Sequence, residues 1–242
     1  MSVVHFGPRL TALSMTAAVA LLLGTAGCTD LDQASAAGIS HDDLLSEMSV
    51  QLARVTGLTY TATYQLTGGG TATVTQAQKP TRTAYVYPSG RVIESATGTI
   101  RCTGEKSTQA DKTVTAGGRS PVCTETDLAP ATSAPLTGST LITPEAALAM
   151  LNAAALDQQV DATQHDTTIA GRHALCLDLD NVDGTATRRF SLCVTNEGAL
   201  GSFAATIAGK HYEQALTTYA EKTAPDAFDL PPAAQLTDKR TK

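Results

Sequence analysis

The sequence predicts an α+β domain whose body is an antiparallel meander of strands. Three observations lead there. Leu58, Tyr60, Ala62, Tyr64 and Leu66 alternate with Thr59, Thr61, Thr63 and Gln65, the signature of a strand with one buried face. Such stretches are joined by short turn signals, among them Gly68-Gly69-Gly70 and Pro88-Ser89-Gly90, which fold each strand back beside the last. Two further stretches change to helical spacing, one ahead of the strands and one midway along the chain.

Residues 1–27 read as a secretory leader. MSVVHFGPR carries one firm positive charge, Arg9, and no acid; LTALSMTAAVALLLG follows without a charge, and Thr25-Ala26-Gly27 precede Cys28. A basic start, a short apolar core and small residues before the cut define a signal peptide, and the apolar run falls short of the ~20 residues of a transmembrane helix. Thr25–Cys28 resembles the bacterial lipobox, with Thr25 where Leu is usual. That resemblance implies a lipid on Cys28 and attachment to the extracytoplasmic side of the cell membrane, since a diacylglycerol with an amide-linked chain supplies the two or more acyl anchors needed for stable binding. Residues 28–39, polar and rich in Ala and Ser, are expected to be a flexible tether.

Removing the leader leaves about 215 of the 242 residues, enough for one domain with a sizeable core. The formal charge is −6, and basic residues cluster only at the end, in Asp238-Lys239-Arg240-Thr241-Lys242. A nucleic-acid partner is therefore not expected. With Cys28 lipidated, Cys102, Cys123, Cys176 and Cys193 remain. An even number in an exported chain implies disulfides. Three connectivities satisfy the count, and local geometry favours Cys102–Cys123 and Cys176–Cys193.

The elements follow in order. Ser40 caps a first helix, with acids in its first turn; Leu44, Leu45, Met48, Leu52 and Val55 form its apolar face and Gly57 ends it. Strands are expected at 58–66, 71–78, 83–87, 91–95 and 99–103, with Lys79-Pro80 closing the second. Residues 104–121 lack a period; a loop that long is uncommon unless tied down, and a Cys102–Cys123 bond across ~20 residues would contribute about 3 kcal/mol on the chain-entropy argument. Residues 127–140 are a second irregular passage. Thr143-Pro144-Glu145 opens another helix, with Thr as cap and Pro at the first position. Residues 158–168 are extended, 172–180 and 187–195 form a hairpin, and 199–207 another strand. KHYEQALTTYAEK at 210–222 fits a helix through Tyr212, Ala215, Leu216, Tyr219 and Ala220, and a strand through Tyr212, Gln214, Leu216 and Thr218. The domain is expected to span 40–231, with 232–242 a disordered tail.

The hairpin CLDLDNVDGTATRRFSLC shows how a register is chosen. Setting Cys176 opposite Cys193 places Leu177 against Leu192, Leu179 against Phe190 and Leu175 against Val194. The other face pairs Asp178 with Ser191 and Asp180 with Arg189. Apolar meets apolar and acid meets base; a slip by one residue would reverse the faces. The cysteines therefore staple the outer, polar surface, and no Cys-x-x-Cys pair suggests redox work. A calcium loop fails on spacing, because Asp183 is displaced and the next Glu is Glu197.

The motifs of common catalysts are missing: no Gly-x-Ser-x-Gly, Ser-x-x-Lys or His-Glu-x-x-His occurs, and no phosphate-cradling glycine loop. Neither His41, His165, His173 nor His211 has another histidine at metal-ligand spacing, and Glu145 is accounted for by the helix dipole. No cofactor, metal site or catalytic residue is expected. The tyrosines of the strands line a ligand cavity or form ordinary sheet core, and the sequence weighs these evenly.

The order of parts resembles a known family. A lipobox and tether, one amphipathic helix, a long meander, a second helix and a final group of strands are similar to the lipoprotein-carrier fold, LolA/LolB-like, and especially to actinobacterial LprG/LppX-type lipoproteins. The resemblance is carried by Thr25–Cys28, the helix from Asp42 to Val55 leading into Leu58–Leu66, Thr168-Ile169-Ala170-Gly171-Arg172, and Phe228-Asp229-Leu230-Pro231. It implies a strongly curved antiparallel sheet, an incomplete barrel, with helices covering its concave face. It also implies a lipid or acylated ligand in an apolar cavity, lined by Leu58, Tyr60, Tyr64, Leu66, Leu175, Leu177, Leu179, Phe190 and Leu192. The alternative is an envelope module that binds a protein partner or senses stress without a ligand cavity.

Overall fold

The described residues form twelve strands in one sheet, most of them with a period-two buried face. The structure, a computed structural model, describes residues 41–104, 120–128, 135–224 and 226–241. The leader, Cys28, the tether and the Ser40 cap lie outside the described residues, as do most of the 104–121 loop and part of 127–140. Helix α1 (His41–Ala53) passes through a 3-10 turn (Arg54–Gly57) into β1 (Tyr60–Leu66), β2 (Thr71–Gln78), β3 (Thr81–Tyr87), β4 (Gly90–Ser95), β5 (Gly98–Thr103) and β6 (Val122–Thr126). Helix α2 (Pro144–Ala155) leads to β7 (Asp161–Ile169), β8 (Arg172–Asp180), β9 (Phe190–Thr195), β10 (Leu200–Ile207), β11 (Lys210–Ala220) and β12 (Gln235–Asp238). The Thr143 hydroxyl caps α2, accepting from the Ala146 N–H at 3.2 Å.

The order across the sheet is β12-β6-β5-β4-β3-β2-β1-β11-β10-β9-β8-β7. Two meanders meet where β11 pairs with β1, Ala62 opposite Tyr219 and Tyr64 opposite Leu216. This pairing settles the ambiguous segment as a strand over Lys210–Ala220: β1 and β10 flank it on both sides, and a helix there would leave one edge of each unpaired. The β7–β8 and β10–β11 turns are Ala170-Gly171 and Ala208-Gly209, all with φ between +49° and +76°. Two left-handed residues make the tight hairpin turn that suits the twist of the strands, and glycine takes the second place without strain.

The expected fold class is corrected. The sheet is mixed, because β12 runs parallel to β6, and it is open, with β7 and β12 at its two ends. The helices do not cover a concave face. They pack together and against β8–β10, with Leu45, Met48, Leu52, Met150 and Leu151 in one apolar cluster with Leu177, Leu192 and Phe203. Their reach explains this: helices of 13 and 12 residues extend ~20 Å, whereas twelve strands laid flat span ~50 Å. The β9–β10 turn fastens α1, where the Gln51 amide donates to the Thr195 carbonyl at 2.7 Å.

The tail is also corrected. Residues 235–238 are a strand, and Arg240 pairs with Glu125 at 2.9 Å. On the way there the chain crosses the sheet face away from the helices. Phe228 lies under the Arg82 guanidinium, 4.3 Å from ring centre to cation, and the Asp229 carbonyl accepts from Arg91 at 2.7 Å.

Candidate functional site

Register across β8 to β11 builds a polar surface on the face away from the helices. Asp178 stands opposite Ser191, Ser191 opposite Ala204, and Ala204 opposite Glu213. In the neighbouring row Thr206 stands opposite His211. Small residues in the middle of a row and long ones around it leave a trough. The result is an open cleft of about 550 Å³, lined by Asp178, Asp180, Arg189, Ser191, Ala204, Thr206 and His211 among others.

Its charges are paired at the rim. Arg189 bonds Asp180, His165 Nδ1 lies 3.6 Å from Asp178 Oδ2, and His211 Nε2 lies 3.4 Å from Glu213 Oε2. Exposed pairs of this kind contribute little stability, ~0–1 kcal/mol each, so they remain available to a ligand. The cleft offers carboxylate acceptors beside guanidinium and imidazole donors. Among the described residues no group of three or more His, Cys, Asp or Glu side chains is placed to hold a metal ion.

The sequence-derived hairpin register is found as expected: Cys176 opposite Cys193, Leu177 opposite Leu192, Leu179 opposite Phe190, Leu175 opposite Val194 and Asp178 opposite Ser191. Both disulfides form, Cys102–Cys123 and Cys176–Cys193. One detail differs. Cys176 lies on the polar face but is buried, as are Cys102 and Cys123. Neither bridge lies at an edge of the sheet: β7 and β10 flank the β8–β9 pair, and β4 and β12 flank β5–β6.

The nine residues expected to line a cavity fall into two groups. Tyr60, Tyr64 and Leu66 pack with Val74, Tyr85, Val92 and Leu141, with Leu58 partly buried beside them. Leu177, Leu179, Phe190 and Leu192 pack with the helices, with Leu175 partly buried beside them. Tyr64 donates to the Leu200 carbonyl at 2.8 Å. Burial pushes the Tyr60 and Tyr64 hydroxyls well above the ordinary phenol range, as the charged form is disfavoured away from water.

A second polar group sits where α2 begins. Tyr85 donates to Glu145 Oε2 at 3.0 Å, so Glu145 does more than complement a helix dipole. Glu94 of β4 lies close by. Burial first, and then the Glu145 charge, raise its acid group above the ordinary value, against the opposing pull of Arg101. Sequence reasoning missed Glu94, although its place opposite Thr83 puts it on the face of Tyr85. Thr206 and His211 were missed as cleft residues because their row appears only once 210–222 is known to be a strand.

No family model matches the sequence, and no curated protein matches it. Among solved structures, an uncharacterized conserved protein from Thermus thermophilus aligns over 80% of this chain and 98% of its own, at 10% identity and a TM-score of 0.45. PNGF-II, in two crystal forms, aligns over 75% and 76% of this chain at 10% and 11% identity, with a TM-score of 0.36 in each. This chain spans about a third of the length of PNGF-II, 31% and 32% in the two forms.

Proposed function

We propose that this chain is a lipid-anchored lipoprotein of a bacterial cell envelope whose domain works as a binding module rather than a catalyst. The leader, the lipobox-like Thr25–Cys28 and the polar tether support the anchor. The two disulfides fit an oxidising compartment. One observation favours surface binding over an internal ligand: seven of the nine apolar residues named for a cavity are between 0% and 5% exposed and packed against their own neighbours. The cleft on the opposite face then supplies the recognition groups.

A second reading keeps a lipid or acylated ligand in the layer between the helices and β8–β10, in line with the resemblance to lipoprotein carriers. Met48 and Met150 in that layer favour it, because methionine repacks readily around different shapes. Two experiments test these readings. Cys28→Ala should release the chain from the membrane fraction, and unchanged retention would refute the anchor. Chain produced without its acyl anchor should take up no fluorescent fatty acid. Saturable uptake, lost on Leu177→Lys, would replace surface binding by the second reading.

A further inference from the structure

The cleft leads to β7, which among the described residues has a strand on one side only; its far end, at Ile169, packs toward β10 and β11, which leaves residues 161–166 as the open stretch. β7 is the last strand of the sheet and pairs with β8 over its whole length without a register shift. Asp161, Thr163, Gln164, His165, Asp166 and Thr168 are exposed. Which of its backbone groups are unused follows from the neighbouring disulfide. Cys176 and Cys193 face each other with Cα atoms 4.0 Å apart, the close spacing of a pair that does not exchange backbone hydrogen bonds. Cys176 therefore turns its N–H and C=O away from β9 and toward His165 on β7. The alternation has an independent check: residues of β8 at odd positions must face β9, and the His173 carbonyl does, accepting from the Asn196 N–H at 3.0 Å.

Carried onto β7, the alternation commits His165 to β8. It points the N–H and C=O of Ala162, Gln164, Asp166 and Thr168 out of the sheet. No turn or loop among the described residues bonds these groups. Exposed edges are usually blunted by charged side chains, by proline or by a bulge; DATQHDTTI has no lysine, proline or bulge, and acids alone guard it. Its carboxylates are Asp161 and Asp166; on β8, Asp178 lies beside His165 and Asp180 is bonded by Arg189.

We propose that β7 is a docking edge for an extended, lysine- or arginine-bearing segment of a partner protein. The segment adds as a thirteenth strand, bonding the outward backbone groups. Its basic side chains lie against Asp161 on one face and Asp166 on the other. A second copy of this chain is a poor occupant, because its β7 offers no lysine or arginine to complement Asp161 and Asp166. The proposal adds a surface and a partner chemistry to the binding role, and it stands independently of the lipid anchor.

The test uses the full chain in detergent micelles at low salt, titrated with a synthetic peptide of alternating lysine and threonine as long as β7. Backbone exchange at Gln164 and Asp166 is expected to slow on binding. Gln164→Pro should weaken binding by about tenfold or more while leaving the fold intact, because it removes an N–H that the sheet does not use. Asp166→Lys should weaken it comparably through charge alone, which keeps the proposal testable if the proline variant does not fold. A glutamate–threonine peptide should not bind. Absence of binding, equal affinity in the Asp166→Lys variant, protection elsewhere on the chain, or self-association through β7 without peptide would each overturn it.

Discussion

Gln214 and Ile142 close a ring of two hydrogen bonds. The Ile142 N–H donates to Gln214 Oε1 at 2.8 Å, and Gln214 Nε2 donates back to the Ile142 carbonyl at 3.0 Å, with both partners buried. A side chain on β11 thus stands in for a strand and holds the segment that leads into α2. Gln76 does related work on β2, donating to the Val55 carbonyl at 2.6 Å. Irregular backbone is buried at both places only because an amide satisfies it.

Removing that amide should be costly. Gln214→Leu keeps the volume but leaves an N–H and a C=O of Ile142 buried without partners. The expected loss is about 3 kcal/mol, read as a lower midpoint of chemical unfolding. A loss within ~0.5 kcal/mol, the ordinary range for surface changes, would show that the segment does not depend on Gln214.

The disulfides should each matter through the unfolded chain. They join residues 21 and 17 positions apart. Loop closure then predicts ~3 kcal/mol for each bridge. Replacing each pair by alanine and measuring unfolding under oxidising conditions checks this, and the double replacement should be close to additive because the bridges lie in different halves of the sheet.

Glu94 should make the protein more stable as the solution becomes moderately acidic. Its folded acid group is raised above the ordinary 4.5, chiefly by burial and then by Glu145. The folded state therefore holds the proton more tightly than the unfolded one, and stability rises as pH falls through the folded value toward 4.5. Glu94→Gln should raise the melting temperature near neutral pH and flatten its dependence on pH in that window. An unchanged slope would mean that another group governs it.

The C-terminal strand should respond in the opposite direction. Hydrogen bonds from Arg240 hold Asp238 down to about 2 from an ordinary 3.8. Thr241 likewise holds Asp127 down. The Asp238 contribution is present above the ordinary carboxylate range and fades as pH falls from 3.8 toward 2, and that of Asp127 is lost in the same direction. Backbone exchange in β12, taken relative to the intrinsic rate at each pH, should rise by about a few-fold over that interval, and by a similar factor near neutral pH in Asp238→Asn.

What was legible in the sequence were elements with a buried face. Leu58–Leu66 and the Cys176–Cys193 hairpin carry apolar alternation, and in the hairpin the cysteines and opposed charges selected one register. β6 and β12 were not legible. Val122–Thr126 buries only Cys123, and Gln235–Asp238 is exposed throughout, so neither leaves a periodic trace. Residues 210–222 stayed ambiguous because Tyr212 and Leu216 satisfy both periods; neighbours distant in sequence decide the matter. What the apolar faces meet was not legible either. Strand alternation shows which residues turn inward but not what meets them, and here Met48, Met150, Leu151 and Leu141 come from other segments. The cleft needs the registers of four strands at once, which no single stretch reveals.

The most direct test of the central claim is native mass spectrometry of the chain extracted from its own membrane. A lipid-anchored surface-binding module predicts a chain that begins at Cys28, carries covalent acyl chains there, and holds no further lipid. An unmodified Cys28 would contradict the anchor, and a stoichiometric noncovalent lipid would contradict surface binding.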